Sequence, residues 1–182
     1  MRASCVFIQG IIVLEPRVFA DERGFFFESY NEKTFAALGI EGAFVQDNHS
    51  RSCRGTLRGI HYQLRNSQAK LVRVVSGEIF DVAVDLRKSS PTFGRWFGLN
   101  LSAFNKLQIY IPSGFGHGFL ALSDTAEVLY KAGDFYAPEH ERCIRWDDPD
   151  LAIDWPLDGE RVISEKDAKG SFFREAELSE EW

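Results

Sequence analysis

Short runs of apolar and β-branched residues, separated by turn residues, recur along most of the chain. Turn signals such as Asp21-Glu22-Arg23-Gly24 and Ser76-Gly77 fall between these runs. The pattern predicts strands over residues 5–13, 25–30, 44–48, 55–64, 70–75, 78–86, 92–102, 107–111, 118–122 and 126–131. Many short strands at close spacing are typical of a sandwich or barrel of the jelly-roll kind.

Helical signals are few. Asn31 is placed to cap a short helix in which Phe35 and Leu38 form an apolar stripe and Gly39 ends the turn. Ser164 opens a polar tail, running to residue 182, that is predicted to be helical. Long amphipathic helices do not alternate with the strands, which disfavours an α/β fold. The predicted fold is all-β, a cupin-like jelly-roll barrel with a few short helices mainly near the C-terminus, and residues 1–182 form one domain.

Composition narrows the class of protein. The chain of 182 residues carries a net charge of −6, whereas general nucleic-acid binders are usually basic. We find no apolar run of membrane-spanning length and no secretory signal at the start. Cys5, Cys53 and Cys143 are odd in number, far apart and in no C-x-x-C arrangement, which predicts reduced, packed thiols rather than a disulfide scaffold or a structural zinc site. We therefore expect a soluble cytoplasmic protein with no nucleic-acid or membrane partner.

Three polar residues interrupt the predicted strand at 55–64. A histidine in a strand is more often structural than catalytic. However, Arg58, His61 and Gln63 stand together where a core strand would be apolar. Because buried polar groups are costly unless they are paired, the cluster predicts a cavity for a polar ligand.

A second motif lies between two predicted strands. Pro112-x-Gly114-x-x-His117 resembles the second motif of the cupin superfamily, and Gly59-x-His61 stands where the first would lie. A metal-binding cupin needs His-x-His in that first motif, and Gln63 occupies the second position. We therefore expect no metal and no cofactor, which disfavours a metal-dependent cupin oxygenase or isomerase.

Metal-free proton transfer is the remaining chemistry. A neutral His61 can act as a base if a carboxylate orients it, and Asp81, Asp85 and Asp167 are all possible partners. The residues by themselves do not select among these three carboxylates.

Two further residues could complete proton transfer next to a ketone. Lys70 could stabilise an enolate, or could simply be a solvated strand end. Tyr130 could return a proton from the opposite face, although by pattern alone it is more often a core aromatic.

Long motifs over about residues 19–167 closely resemble the dTDP-4-dehydrorhamnose 3,5-epimerase family, whose members have a cupin fold. They are Asp21-Glu22-Arg23-Gly24-Phe25-Phe26-Phe27-Glu28, Phe44-Val45-Gln46-Asp47-Asn48-His49-Ser50, Leu57-Arg58-Gly59-Ile60-His61-Tyr62-Gln63, Lys70-Leu71-Val72-Arg73-Val74, residues 77–87 and 112–119, and Trp146-Asp147-Asp148-Pro149. The chain departs from the family pattern at Cys143 and Ala152, where glycine is expected. We expect these two changes to touch no catalytic group.

The resemblance implies roles for individual residues. His61 would be the general base held by Asp167, Tyr130 the general acid, and Lys70 the enolate-stabilising group. Tyr136 would stack on the thymine base. The implied contacts to the sugar and diphosphate are Arg23, Glu28, Gln46, Asp47, Asn48, Arg58, Lys70, His117, Glu141 and Lys166.

The resemblance also implies a substrate and an assembly. The expected substrate is a dTDP-linked 4-keto-6-deoxy hexose, and the expected assembly is a homodimer in which the N-terminal strand reaches across. The predicted reaction inverts C3 and C5 of dTDP-4-dehydro-6-deoxy-D-glucose to give dTDP-4-dehydro-L-rhamnose. The alternatives are an epimerase acting at C3 or C5 alone, and a non-catalytic sugar-nucleotide-binding cupin.

Overall fold

The computed structural model describes residues 1–156, 159–180 and 182. Its two helices are α1 (Glu32–Ala36) and α2 (Glu165–Ala168), and short 3₁₀ turns cover Pro138–His140 and Phe173–Glu175. The strands are β1 (Arg2–Cys5), β2 (Ile12–Glu15), β3 (Phe19–Asp21), β4 (Gly24–Phe26), β5 (Gln46–Cys53), β6 (Thr56–Gln63), β7 (Lys70–Ser76), β8 (Glu78–Asp85), β9 (Trp96–Ser102), β10 (Gln108–Ile111), β11 (Phe115–Ala121), β12 (Thr125–Ala132), β13 (Glu141–Cys143) and β14 (Val162–Ile163).

The strands form two large sheets and one hairpin. The first sheet has the order β1-β2-β10-β7-β12-β5, and the second has the order β13-β6-β11-β8-β9. In the second sheet β14 pairs in parallel with β6, whereas β3 and β4 pair only with each other. The non-sequential strand order confirms the predicted cupin-like, all-β architecture.

Apolar side chains fill the space between the two sheets. Val72 and Val128 of the first sheet pack in one cluster with Ile79, Ala83 and Phe119 of the second. This cluster is closed to solvent, so it supplies much of the hydrophobic stabilisation of the barrel.

The second sheet is also covered on its outer face. Val82 and Leu120 pack there against Ile144, Leu151 and Trp155 of the C-terminal segment. Successive side chains of a strand point to opposite faces, so a strand buried on both sides loses its polar alternation. This explains why the alternation in β8 is imperfect in the sequence.

The short helix α1 covers part of the first sheet and follows its local sequence signals. The Asn31 side chain accepts hydrogen bonds from the backbone N–H groups of Lys33 and Thr34, as a helix N-cap should. Phe35 is fully buried against Leu14 and Leu71 of the sheet. The predicted cap and the buried Phe35 are confirmed, but the helix ends at Ala36, and Leu38 and Gly39 lie in the turn that follows it.

Several predicted boundaries are wrong because tertiary contacts override local pattern. The predicted strand at 5–13 is two strands, β1 and β2, and the loop between them buries Ile8 and Ile11 in the core. The predicted strand at 25–30 stops at Phe26, and β9 begins at Trp96 because 92–95 form a turn that contains Gly94. The strand predicted at 118–122 begins earlier, at Phe115.

The predicted helical tail is also wrong. Only Glu165–Ala168 forms an α-helix, and the residues after it are mostly irregular, while Glu181 lies outside the described residues. Leu178 and Trp182 instead pack on the outer face of the second sheet. Burial of these apolar groups outweighs the weak helical propensity of a polar segment.

The cysteine prediction is partly confirmed. All three thiols are free, but Cys5 and Cys53 are exposed rather than packed, and Cys143 is half-buried. Within the described residues, no helix is both long and apolar enough to span a membrane.

Candidate active site

A cavity of about 360 Å³ opens between the two sheets and is lined by polar side chains from both of them. The first sheet contributes alternate residues of β5 and the ends of β7 and β12, and the second contributes β6 and β11. The lining residues predicted from the sequence are Gln46, Asn48, Arg58, His61, Gln63, Lys70, His117, Tyr130, Tyr136 and Glu141.

His61 and Asp167 form a close hydrogen-bonded pair. His61 Nε2 lies 2.5 Å from Asp167 Oδ1, and the Asp167 side chain is only 5% exposed. Ser164 caps α2 by accepting a hydrogen bond from the Asp167 backbone N–H, which fixes where the carboxylate points. Since an ionised carboxylate only accepts, Nε2 carries the shared proton and Nδ1 keeps the lone pair that a base needs.

The environment of Asp167 keeps it ionised. Burial by itself would raise its pKa, but the hydrogen bond and charge of His61, helped by Ser164 and the backbone of Gly59, lower the pKa below its usual value. An ionised Asp167 can therefore stabilise an imidazolium on His61.

His117 has a buried carboxylate partner of its own. Its Nε2 lies 2.8 Å from Asp81 Oδ2, and both side chains are almost fully buried. His117 also pairs with His61 across β11 and β6, so two imidazoles from neighbouring strands line the cavity. Asp81 is therefore engaged by His117 and is not the partner of His61.

Asp85, the third possible carboxylate, is also engaged elsewhere. It accepts hydrogen bonds from Arg87, Ser90 and Thr92, which stabilise the turn after β8. The structure thus leaves Asp167 as the partner of His61, as the family resemblance implies.

Gln63 does not take part in a cupin-type metal site. Its amide nitrogen donates to the carbonyls of Asn66 and Phe135, and its amide oxygen accepts from the Ala137 N–H. Gln63 therefore holds the loop that carries Tyr136. With Gln63 so used and each imidazole bound to its own carboxylate, these residues do not assemble the ligand set of a metal-binding cupin.

Lys70 is drawn into the cavity rather than standing free at a strand end. Burial lowers its pKa from 10.5 to about 8, although the charges of Glu141 and Asp81 act in the opposite direction. Near neutral pH Lys70 is still mostly a cation, and a partly desolvated cation interacts strongly with any oxyanion beside it.

Tyr130 reaches the same cavity from the first sheet. It is half-buried on β12, and burial is the main cause that raises its pKa; the charge of Arg58 lowers the pKa by less, and the charge of Glu141 raises it further. Its phenol is therefore protonated at neutral pH and can donate. His61 and Tyr130 thus line one cavity from two facing sheets.

Four of the substrate contacts that the resemblance implies lie away from the cavity lining. Asp47 is on the exposed face of β5 and accepts from Lys131, while Lys166 forms an ion pair with Glu141 at the edge of the site. Arg23 lies in the β3–β4 turn, paired with Asp21.

Glu28 is the fourth of these residues. It accepts a hydrogen bond from Asn31 at the start of α1. Within the described part of this chain, neither Arg23 nor Glu28 reaches the cavity.

Sequence reasoning missed several residues around the site. The lining residues that it did not name as site residues are Ser50, Tyr62, Gln68, Gly118 and Phe119. Ser50 lines the cavity, and its position follows from the alternation of Gln46, Asn48 and Ser50 along one face of β5. Cys143 was expected to touch no catalytic group, and this is wrong. Its Sγ lies 3.9 Å from Asp167 Oδ1, because β13 pairs Cys143 directly with His61.

A histidine paired with a buried carboxylate, a lysine and a tyrosine suit proton transfer at carbon. The sequence model of dTDP-4-dehydrorhamnose 3,5-epimerase matches residues 6–175, which is most of the chain. The chain belongs to the dTDP-4-dehydrorhamnose 3,5-epimerase family. It is therefore an epimerase, as the sequence predicts.

Known relatives agree with this family in sequence and in fold. A dTDP-4-dehydrorhamnose 3,5-epimerase from Pseudomonas aeruginosa is 61% identical over 97% of this chain and 98% of its own length. The structure of a dTDP-6-deoxy-D-glucose-3,5-epimerase from Legionella pneumophila, in complex with dTDP-4-keto-L-rhamnose, has a TM-score of 0.95 at 49% identity and covers 97% of this chain and 94% of that one.

A 3′-monoepimerase has the same fold at lower identity. The Streptomyces bikiniensis enzyme in complex with dTDP-quinovose has a TM-score of 0.86 at 38% identity, over 92% of this chain and 85% of that one. Fold by itself therefore does not separate double from single epimerases.

Replacing Lys70 by Met is predicted to stabilise the fold at neutral pH. The pKa of Lys70 is 10.5 in the unfolded chain and about 8 in the folded one. Below pH 8 the side chain is therefore charged in both states, and burying the cation lowers the free energy of unfolding by at most about 3 kcal/mol. Between pH 8 and 10.5 the folded state loses its proton first, and wild-type stability rises.

Urea unfolding at several pH values measures this effect. The increase in the free energy of unfolding that Lys70→Met causes should be largest below pH 8 and should shrink towards pH 10.5. Lys169→Met, at a side chain that is 77% exposed, is the control and should change little. A Lys70→Met variant that is no more stable than wild type at pH 7 would contradict the assigned burial cost.

Proposed function

We propose that this chain acts as a single-domain enzyme that inverts C3 and C5 of dTDP-4-dehydro-6-deoxy-D-glucose to give dTDP-4-dehydro-L-rhamnose. The observation that carries the proposal is that His61 and Tyr130 line one cavity from two facing sheets. Inversion at carbon needs a base on one side of the sugar ring and an acid on the other. The names of the relatives from Pseudomonas aeruginosa and Legionella pneumophila favour this substrate.

The ketone at C4 acidifies the C–H bonds at both C3 and C5. In the proposed mechanism, His61 Nδ1 takes the proton and the buried carboxylate of Asp167 stabilises the imidazolium that forms. Lys70 donates a hydrogen bond to the enolate oxygen at C4. Tyr130 then delivers a proton to the opposite face of the same carbon, which leaves an imidazolium and a phenolate. His61 loses its proton to solvent and Tyr130 regains one from solvent, and the steps then repeat at the second carbon without a metal or other cofactor.

The rest of the cavity suits a nucleoside diphosphate. Arg58 provides a guanidinium at the cavity wall, held by a 3.1 Å hydrogen bond from its Nε to Ser52 Oγ, and guanidinium groups match phosphate oxygens. Tyr136 is half exposed, and its hydroxyl donates to Glu141 Oε2 at 2.5 Å. Its ring is thus held at the mouth of the cavity, where a thymine base can stack on it.

In D₂O, the enzyme should place deuterium at both C3 and C5 of the nucleotide-linked sugar, because every proton returned to carbon comes from a group that exchanges with solvent. Proton NMR would follow the loss of the two signals, with a chelator-treated sample as control. Label at one position alone would favour a single-position epimerase. No label would favour a non-catalytic binding protein, and activity lost with the chelator would favour a metal-dependent cupin.

Tyr130→Phe should separate proton removal from proton delivery. Without the phenol, inversion is expected to fall about 10²- to 10³-fold, whereas His61 still exchanges the proton on its own face. Deuterium should therefore enter recovered substrate whose configuration is unchanged. Tyr110→Phe, at a buried tyrosine of the cluster beneath α1, is the matched control and should keep full activity. If Tyr130→Phe lost deuterium exchange and inversion to the same extent, the assignment of Tyr130 as the proton donor would be contradicted.

The proposed working form is a cytoplasmic homodimer, in which the β3–β4 hairpin of one chain reaches the cavity of the other. The hairpin exposes Phe19, Phe25 and Phe26, a cluster of large apolar side chains that is unusual on a free surface. Arg23 and Glu28 lie on or just after this hairpin and do not reach the cavity of their own chain, so a partner chain would bring them there. The free cysteines are consistent with a reducing compartment.

Light scattering should give the mass of two chains at micromolar concentration.

Arg23→Ala should raise KM for the nucleotide sugar with little change in the mass, because a phosphate contact is lost and the apolar hairpin remains. At a substrate concentration well below the raised KM, where Arg23→Ala is slow, mixing it with inactive His61→Ala should increase the activity, since one cavity of the mixed dimer keeps both residues. A monomeric protein, or no recovery on mixing, would contradict the proposed assembly.

A further inference from the structure

A histidine, a cysteine and an aspartate, which are three different kinds of metal ligand, lie close together where His61 meets Asp167. His61 on β6, Cys143 on β13 and Asp167 on α2 place their ligand atoms within 4.8 Å of one another. The Cys143 Sγ lies 3.9 Å and the His61 Nε2 2.5 Å from Asp167 Oδ1. Over residues 1–156, 159–180 and 182, this is the one group of three such ligands at that spacing.

These atoms suit a thiophilic divalent cation. Zn²⁺ binds thiolate sulfur, imidazole nitrogen and carboxylate oxygen at roughly 2.0–2.3 Å in a tetrahedron, which places ligand atoms about 3.5 Å apart. Opening the His61–Asp167 contact and closing the Cys143 contact would each need a movement of about 1 Å or less, within reach of small side-chain rotations. A substrate oxygen or a water would supply the fourth ligand.

We propose that Zn²⁺ binds at His61, Cys143 and Asp167 and, by doing so, inhibits the enzyme. The inhibition rests on the function proposed above, whereas the binding does not. Since β13 pairs Cys143 directly with His61, the sulfur is fixed beside the imidazole by the sheet itself.

Inhibition follows from the tautomer of the imidazole. Zn²⁺ would replace the proton between His61 Nε2 and Asp167, so the metal would take the lone pair of Nε2. A neutral imidazole then carries its one proton on Nδ1, the nitrogen that the proposed mechanism uses as the base. The ion would also occupy the carboxylate that stabilises the imidazolium. Bound zinc and a working base are therefore mutually exclusive.

An ion can reach the cluster from solvent. His61 lines both the main cavity and a neighbouring open groove of about 550 Å³, whose walls include Ser164 and Asp167. The cations of Arg51, Arg58 and Lys166 border this groove, and the charge of Lys166 is paired with Glu141. The groove therefore gives a path from solvent to His61 and Asp167, although the charges of Arg51 and Arg58 oppose the approach of a cation.

Cobalt and zinc titrations of the chelator-stripped full-length protein test the site. Co²⁺ should give a near-ultraviolet sulfur-to-cobalt charge-transfer band, and excess Zn²⁺ should remove it. Cys143→Ser, which keeps the size of the side chain, should abolish the band and weaken zinc binding at least tenfold by calorimetry. Cys5→Ser, at an exposed thiol on β1, is the matched control and should behave as wild type.

The same proteins are then assayed for deuterium exchange into the substrate. Zinc should inhibit wild type and Cys5→Ser, EDTA should reverse the inhibition, and Cys143→Ser should stay active at the same zinc concentration. Equal zinc affinity in wild type and Cys143→Ser, or a missing cobalt band, would overturn the site. A normal band without inhibition would overturn the proposed effect on the base. If wild type shows no exchange at all, the proposed function fails while the titrations still decide the site.

Discussion

The hydrogen bond between His61 and Asp167 links the barrel to the C-terminal segment across 106 residues of sequence. It forms because Ser164 caps α2 and because Leu151 and Trp155 anchor this segment on the outer face of the second sheet. A carboxylate is thereby buried beside an imidazole and kept ionised by it. Without that covering segment, the sheet would expose apolar surface and the candidate base would lose the group that sets its tautomer.

The cavity is a polar region inside an apolar barrel, and its stability depends on pairing. Buried carboxylates each have a partner, since Asp81 binds His117 and Asp85 binds Arg87, as Asp167 binds His61. Lys70 is different, because burial lowers its pKa to about 8 and the charges around it compensate only in part. A group that is costly to bury yet kept in a cavity is what an enzyme site requires, because the same desolvation strengthens its interaction with an oxyanion.

Local signals predicted much of the fold. The Asn31 cap and buried Phe35 located α1, and the turn at Ser76-Gly77 located the end of β7 and the start of β8. Local signals failed where distant contacts decide the outcome. The pattern of residues 5–13 predicts one apolar strand, but Ile8 and Ile11 lie in a loop and are buried in the core. The polar tail was predicted to be helical, but its backbone is mostly irregular because Leu178 and Trp182 pack on the second sheet.

The sequence by itself determined the fold class, the family and the kinds of side chain in the site, because these follow from short-range patterns and long specific motifs. The residue types alone left Asp81, Asp85 and Asp167 equivalent, and the family resemblance implied Asp167 for His61. Only the tertiary structure showed that contact and showed that Asp81 binds His117 and Asp85 binds Arg87, because these contacts depend on what the strands bring together. It also placed Cys143 next to the base, through the pairing of β13 with β6. Such contacts join residues far apart in the chain, and no local pattern encodes a distance in space.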